Sequence, residues 1–259
     1  MGHTRLRTLP RTQRWQEVVR LLESDGALQD VAQASYDAAQ AGLSQVPRDP
    51  GFAAALAEIF AFAGAIQAKE PVNALWEKGF SVPSEATFAE LVGSLRQRID
   101  ERLQHVRAGS DIGELALNSF SEALLRQAAS ELPSMFKVSP ETSREVLRNQ
   151  LSGSRFKGLM HEFYSVFTCR YLSYYLSREL PKHVGAAGAR FANIQHHQDF
   201  DRAFDLYVRQ TVRIADEFTP GWFGKAQYEG TLSHESVTRY ARVAFKKIRS
   251  EFARGYERA

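Results

Sequence analysis

The sequence predicts an all-α protein, with about nine helices packed as a globular helical bundle around a buried, aromatic-rich helix at about residues 156–180. Three observations support this fold class. Apolar residues recur every three or four positions along almost the whole chain, which is the helical period. No segment sustains the alternation of apolar and polar residues that a half-buried strand requires. Within 156–180, apolar residues surround the predicted helix on every side, as in a helix enclosed by others.

Capping residues mark three of the predicted helix starts. Asp49-Pro50 and Ser139-Pro140 each place an N-cap side chain before a proline at the first helical position, where a backbone N–H would have no helical partner. Ser84 is the expected cap of a strongly periodic helix. In chain order, the apolar spacing predicts helices at about residues 15–25, 28–46, 50–66, 85–106, 111–132, 140–152, 156–180, 200–218 and 233–258, with a short helical piece at 72–76.

The chain is long enough for one large domain or two small ones. We treat residues 1–259 as a single helical domain, and the alternative is two lobes, 1–133 and 139–259. No apolar run reaches the roughly 18 residues that span a bilayer. The arginine-bearing N-terminus has no apolar stretch behind it, as a secretory signal would. We therefore expect a cytoplasmic location and no membrane partner.

The closing segment, Ser233–Arg258, combines an amphipathic pattern with a segregated charge. Its apolar residues recur at helical spacing and predict a face that packs on the core: Val237, Ala241, Ala244, Ile248 and Phe252. Its basic residues recur on roughly the opposite side and predict a solvent-exposed ridge: Arg239, Arg242, Lys246 and Arg249. We call these four residues, together with the adjacent Lys247, the basic ridge.

The net charge of +3 is unevenly distributed along the chain. Residues 1–20 carry a net charge of +4, residues 230–259 also carry +4, and the middle carries −5. Basic ends on an acidic body indicate two electrostatic contact regions. The basic ridge is suited to an acidic protein surface or to the phosphates of a nucleic acid, although no recognised nucleic-acid motif accompanies it.

An aromatic loop precedes the closing helix. Residues 219–231 place three aromatic residues among three glycines. Because large aromatic residues dominate interface hot spots, Trp222 and Phe223 are candidates for contact with a partner on the same face as the basic ridge. The alternative is that these rings fold back over the ends of the core.

A polar cluster near residue 196 raises the hypothesis of a metal site. His197 and Asp201 are four residues apart and share one helix face, and His196 and Asp199 lie beside them. A metal hydrolase built in a helical bundle would need further ligands from other helices, and the chain has no His-Glu-x-x-His motif. Polar residues that open a helix, with Asn193 or Asp199 as its cap, explain the cluster equally well, so we predict no metal.

A second enzymatic hypothesis is a metal-independent helical ribonuclease. In the HEPN class of helical ribonucleases an arginine is followed four to six residues later by a histidine, and Arg155 with His161 has that spacing. Such a pair could place a general base beside a cation that binds phosphate. The same spacing, or one longer by a single residue, recurs at three other places, as a chain rich in arginine produces by chance. Cys169, the only cysteine, lies in an apolar helical pattern that favours a buried small side chain over a catalytic thiol.

These observations favour a non-catalytic, all-helical accessory protein without a cofactor, which docks an acidic protein through the basic ridge and the aromatic loop. Two alternatives stay open: a nucleic-acid-binding protein that uses both basic ends, and a helical ribonuclease or metal-dependent phosphohydrolase. The sequence leaves undecided whether the remaining candidates form a site: His161, His196, His197, Asp199 and Asp201.

Overall fold

The computed structural model describes residues 12–105, 111–129, 131–132, 138–185, 190–212, 222 and 233–257. Within these ranges the chain forms ten α-helices and two short 3-10 turns, and no β-strand is present in them. A single isolated bridge joins Val184 to Phe191. The predicted all-α fold is confirmed.

The helices follow one another with short connections. The first five are α1 (Gln13–Glu23), α2 (Leu28–Leu43), α3 (Pro50–Ile66), α4 (Pro71–Glu77) and α5 (Phe88–His105). The next five are α6 (Asp111–Ala128), α7 (Pro140–Gln150), α8 (Gly153–Leu176), α9 (Ile194–Val212) and α10 (His234–Glu257). The 3-10 turns are Val46–Arg48, between α2 and α3, and Leu180–His183, after α8.

Two of the predicted helix caps are confirmed. The Asp49 carboxylate accepts a hydrogen bond from the backbone N–H of Phe52 at 2.8 Å, with Pro50 as the first residue of α3. The Ser139 hydroxyl accepts one from the backbone N–H of Thr142 at 3.2 Å at the start of α7. Each cap satisfies a backbone donor that has no partner inside the helix.

The predicted cap of α5 is wrong by three residues, because Thr87 rather than Ser84 precedes the first turn. The Glu90 carboxylate accepts hydrogen bonds from the Thr87 backbone N–H at 2.8 Å and from its hydroxyl at 2.7 Å. The Thr87 oxygen in turn accepts from the Glu90 N–H at 3.4 Å. This reciprocal pair is a capping box. Ser84 has a threonine three residues later, where a capping box needs a glutamate or glutamine.

The central helix is α8, and five of its aromatic side chains are buried: Phe156, Phe163, Tyr164, Phe167 and Tyr171. Its buried residues lie all around the axis because α2, α6, α7 and α9 pack against it. The helix ends at Leu176, slightly earlier than the predicted residue 180, and the chain continues into the second 3-10 turn. A helix that is apolar on every side is therefore the core of the bundle, as the sequence pattern indicates.

The closing helix α10 is part of the core. It packs against α2, α3, α9 and the first 3-10 turn. Tyr36 of α2 stacks on Phe252 of α10, with ring centroids 4.0 Å apart and planes inclined by 5°. All five residues of the predicted apolar face are buried: Val237, Ala241, Ala244, Ile248 and Phe252. Buried residues from before and after the segment 133–137 belong to the same hydrophobic cluster.

None of the helices in the described ranges is, taken singly, both long and apolar enough to cross a membrane. The segments Leu28–Arg48 and Pro50–Ile66 reach that length and hydropathy only as a pair, and the pair is bent by 59°.

Candidate functional site

The basic ridge lies on the solvent side of α10, because the helical period turns its residues away from the buried face. Arg239, Arg242, Lys246 and Arg249 are exposed, and Lys247 is half-buried. Arg239 makes an ion pair of 3.1 Å with Glu235, one turn earlier. Both side chains of that pair are largely exposed, so the pair contributes little to stability.

Part of the ridge forms one wall of a cleft with a volume of about 240 Å³. The opposite wall is the last turn of α2 and the 3-10 turn that follows it. We call this feature the basic cleft. Its basic lining residues are Arg48, Arg242, Lys246 and Arg249, its largely apolar ones are Tyr36, Leu43, Pro47 and Phe245, and its neutral polar ones are Gln40 and Ser44. These lining residues include no acidic side chain.

Two arginines of the basic cleft stand apart from the other arginines of the described chain. Arg242 and Arg249 make no hydrogen bond or ion pair with any described residue. Each of the other described arginines has at least one such partner, which is a carboxylate, a neutral polar side chain or a backbone carbonyl. The arginines that have no such partner among the described residues therefore both line this cleft.

The other two cations of the cleft are also without a carboxylate partner among the described residues. Arg48 donates only one long hydrogen bond of 3.4 Å, to the neutral side chain of Gln45. The side chain of Lys246 has no ion pair in the described ranges. Positive charges held together without an anion repel one another, and this repulsion favours the entry of an anionic ligand.

Tyr36 adds a neutral donor to the lining of the basic cleft. Burial raises the pKa of its hydroxyl well above the ordinary tyrosine value, while the nearby Arg249 acts in the opposite direction. Tyr36 therefore keeps its proton at physiological pH. The hydroxyl makes no hydrogen bond to a described residue, so it can donate one to a ligand.

Trp222 packs onto the end of the core. Its ring stacks on Tyr240 at 4.5 Å and meets the edge of Phe60 at 5.1 Å between centroids. The ring is half-buried, so part of its surface is covered, as the fold-back alternative expects. The exposed part of the Trp222 ring remains a candidate for contact with a partner. Phe223 lies outside the described residues.

The polar cluster near residue 196 opens α9. The Asn193 side chain accepts a hydrogen bond of 3.0 Å from the backbone N–H of His196, which makes Asn193 the N-cap. His197 and Asp201 do share a face, with 3.7 Å between Nε2 and Oδ2. Burial raises the pKa of Asp201, and His197 opposes that shift. No group of three or more potential metal ligands is found in the part of the chain that the structure describes.

The pair proposed for a ribonuclease does not converge. Arg155 and His161 both lie on α8, but six residues place them about 120° apart around the helix. Arg155 is exposed and makes an ion pair with Glu131. Arg190 and His196, which have the same spacing, do not form one site either. The Arg190 side chain donates to backbone carbonyls within the fold, whereas His196 is exposed.

Cys169 is unsuited to nucleophilic catalysis. Burial first, and then the nearby Asp205 carboxylate, raise the pKa of its thiol to about 12. The thiol is therefore protonated near neutral pH, whereas the thiolate is the nucleophile.

A larger cavity of about 670 Å³ lies between α1 and α2. Its charged lining residues are of mixed sign: Arg14, Glu17, Asp30 and Asp37. Arg14 donates to the Asp37 carbonyl at 3.1 Å, and Glu17 pairs with Arg20 at 2.5 Å. Because its charges are of mixed sign and Arg14 and Glu17 already have partners within the fold, this cavity is a weaker candidate than the basic cleft.

Sequence reasoning found the α10 wall of the basic cleft but missed Tyr36 and Arg48. Both belong to segments with ordinary helix and turn patterns, and neither has a sequence signal that relates it to α10. They join the site only because α2 and the first 3-10 turn pack against α10. In comparisons with protein-family models, curated proteins and solved structures, no match to this chain is found.

Proposed function

We propose that this chain is a non-catalytic protein that docks an acidic protein partner through the basic cleft and the rest of the basic ridge. One observation carries the proposal: the two described arginines that have no partner in the fold, Arg242 and Arg249, line the same cleft. Arg48 and Lys246 add two further cations there. Buried or interfacial arginines are strong binders of carboxylates because their planar fork donates two hydrogen bonds at once.

The composition of the cleft favours an acidic protein over a nucleic acid. Leu43, Pro47 and Phe245 supply an apolar lining beside the cations. An acidic peptide segment carries carboxylates for the cations and apolar groups for this lining. Proteins that bind single-stranded nucleic acid stack the bases on aromatic rings. The rings of Tyr36 and Phe245 are instead buried, with exposures of 3% and 7%.

The proposal is tested by reversing the charge of the unpartnered arginines. The double variant Arg242→Glu/Arg249→Glu should bind a fluorescein-labelled peptide of glutamates and leucines at least about tenfold more weakly, because charge-assisted hydrogen bonds are lost and repulsion replaces them. Fluorescence anisotropy at fixed salt measures the affinity. Circular dichroism should be unchanged, since both side chains are exposed.

The matched control is Arg20→Glu/Arg254→Glu, which makes the same change in net charge at arginines outside the cleft. It should retain the peptide affinity of the parent protein within about twofold. Equal weakening by both double variants would show a nonspecific charge effect and contradict the proposal. A single-stranded RNA of similar length should bind more weakly. If the RNA binds more tightly, with a steep salt dependence, the nucleic-acid alternative is correct instead.

A further inference from the structure

We infer that the basic cleft binds a phosphoryl dianion, carried on a phosphorylated side chain of the acidic partner. This inference rests on the proposed docking function and names the group that would enter the cleft. It follows from the number of donors, their placement on two walls, the size of the cleft and the protonated phenol in its lining.

The donors exceed what one carboxylate can use. A guanidinium offers five N–H donors, and Arg48, Arg242 and Arg249 all line the cleft together with the ammonium of Lys246. A carboxylate has two oxygens in one plane. A phosphate monoester presents three acceptor oxygens in a tetrahedral arrangement and a charge of about −1.5 to −2 at neutral pH. Cations on two facing walls fit the second geometry.

The walls of the cleft place these donors on different elements. Arg48 belongs to the 3-10 turn, whereas Arg242, Lys246 and Arg249 project from α10. The last turn of α2 also lines the cleft, and a helix C-terminus carries about half a negative charge. Four full positive charges outweigh it, so the cleft is electropositive.

The Tyr36 hydroxyl supplies a neutral donor at the buried side of the cleft. Tyr36 has an exposure of 3%, and its ring is fixed by the stack on Phe252. Its O–H has no hydrogen-bond partner among the described residues. A phosphoryl oxygen that reaches the cleft would accept from this hydroxyl, whereas ligands bound only at the rim would not.

The size of the cleft suits a side-chain-sized group. Cofactor and drug-sized ligands occupy sites of about 300 to 1,000 Å³, and the basic cleft has about 240 Å³. A phosphorylated serine, threonine or tyrosine side chain is the phosphoryl carrier that fits both this volume and the acidic protein partner.

The test compares three peptides of one acidic sequence, with serine, phosphoserine or glutamate at the central position, by isothermal titration calorimetry. We expect the phosphopeptide to bind about tenfold more tightly than the serine peptide, and the glutamate peptide to resemble the serine peptide. The affinity for the phosphopeptide should rise between pH 5 and 7, because the second phosphate ionisation has a pKa of about 6. Binding of the glutamate peptide should change little there, since its carboxylates are already ionised.

Two conservative variants distinguish specific recognition by the basic cleft from nonspecific electrostatic attraction. Arg249→Lys keeps the charge and removes the planar fork, and it should weaken phosphopeptide binding about tenfold. Tyr36→Phe keeps the ring and removes the hydroxyl, and this variant should weaken phosphopeptide binding severalfold. Both should weaken binding of the serine peptide by a smaller factor than binding of the phosphopeptide, with unchanged circular dichroism. Arg254→Lys is the matched control and should change neither affinity.

The outcomes distinguish this inference from the proposed function. Equal affinity for the phosphorylated and unphosphorylated peptides, or a flat pH profile, would overturn the phosphoryl inference and leave acidic docking intact. Loss of binding to every acidic peptide would overturn both. If inorganic phosphate binds as tightly as the phosphopeptide, the phosphoryl group is recognised free in solution and the assignment to a partner side chain is overturned.

Discussion

Gly113 lies at a close approach between two helices of the core. A Cβ atom at this position of α6 would lie 2.6 Å from the Leu103 side chain, 2.9 Å from the carbonyl carbon of Gly51 in α3 and 3.1 Å from the Gly51 Cα. The contact with Gly51 is with backbone, so a small side-chain adjustment cannot relieve it. Close packing between α3 and α6 therefore requires glycine at position 113.

We predict that Gly113→Ala lowers the free energy of unfolding by about 1 to 3 kcal/mol, because the added methyl group forces α3 and α6 apart. Urea denaturation followed by tryptophan fluorescence measures the change. The control is Gly93→Ala in α5, where an added Cβ meets nothing within 4 Å. That variant should be more stable than the parent by about 0.5 to 1 kcal/mol, as alanine favours a helix over glycine. Destabilisation by both variants would show that helix crossing is not the cause.

Glu58 shows how the fold normally uses arginine. Its carboxylate is buried in α3 and lies 2.7 Å from Arg102 and 3.5 Å from Arg98, both in α5. A buried carboxylate without these partners would be strongly unfavourable. The contrast with Arg242 and Arg249, whose guanidinium groups have no such partner among the described residues, is the residue-level reason for assigning them to ligand binding.

At the scale of the elements, some helix ends are stabilised by residues close in sequence and others by residues far along the chain. Local caps such as Asp49 and Ser139 are readable from the sequence because cap and donor are three residues apart. The C-terminal turn of α1 is closed differently. The buried guanidinium of Arg190 donates to the carbonyls of Leu21 at 3.1 Å and Gly26 at 2.7 Å. Such a long-range contact leaves no periodic signal.

At the start of α5 we predict that Thr87→Ala lowers the free energy of unfolding by about 1 kcal/mol, because the two hydrogen bonds of the Thr87 hydroxyl are lost. Ser84→Ala should change it by less than about 0.5 kcal/mol, as expected away from a cap. Chemical denaturation of the two variants measures the difference. A larger effect at Ser84 would contradict the assignment of the cap.

The same cap should depend on pH. Its hydrogen bonds from Thr87 lower the pKa of Glu90 in the folded state. A carboxyl group with a lowered folded-state pKa stabilises the protein at pH values above its unfolded-state pKa, and this contribution is lost as the pH falls through the folded-state pKa. The destabilisation by Thr87→Ala should therefore be largest near neutral pH and shrink in acid.

For the whole molecule, α10 has two separate roles on two faces. The buried face joins α10 to α2, α3 and α9, and the exposed face supplies cations to the basic cleft. Substitutions on the two faces should therefore have different consequences. Changes at Arg242 and Arg249 should affect binding with little effect on stability, whereas changes on the apolar face should do the reverse.

We predict that Phe252→Ala lowers the free energy of unfolding by about 3 to 5 kcal/mol, because it creates a cavity and removes the stack on Tyr36. Val243→Ala, on the same helix at a side chain that is 40% exposed, should change it by less than about 0.5 kcal/mol. Thermal and urea denaturation measure both. A small effect of Phe252→Ala would show that α10 is not integral to the core.

The fold class and the apolar and basic faces of α10 could be predicted from the sequence because both depend on local periodicity. The prediction of the apolar face of α10 is confirmed at every one of its five positions. The predicted cap of α5 is wrong because serine and threonine are both good caps and the spacing of Glu90, three residues after Thr87, was not used; the capping-box hydrogen bonds of Glu90 identify Thr87. The exact ends of α8 and α9 likewise depend on packing and capping contacts.

By itself, the sequence determined that the chain is all-α, that a helix near residue 165 is buried on all sides, and that the last helix presents basic residues opposite an apolar face. These properties follow from spacing along a helix. Only the tertiary structure decided which arginines lack a partner among the described residues, and that Arg48 and Tyr36 line one cleft together with Arg242 and Arg249. The physical reason is that ion pairing and clefts arise between helices distant in sequence, where periodicity carries no information about distance.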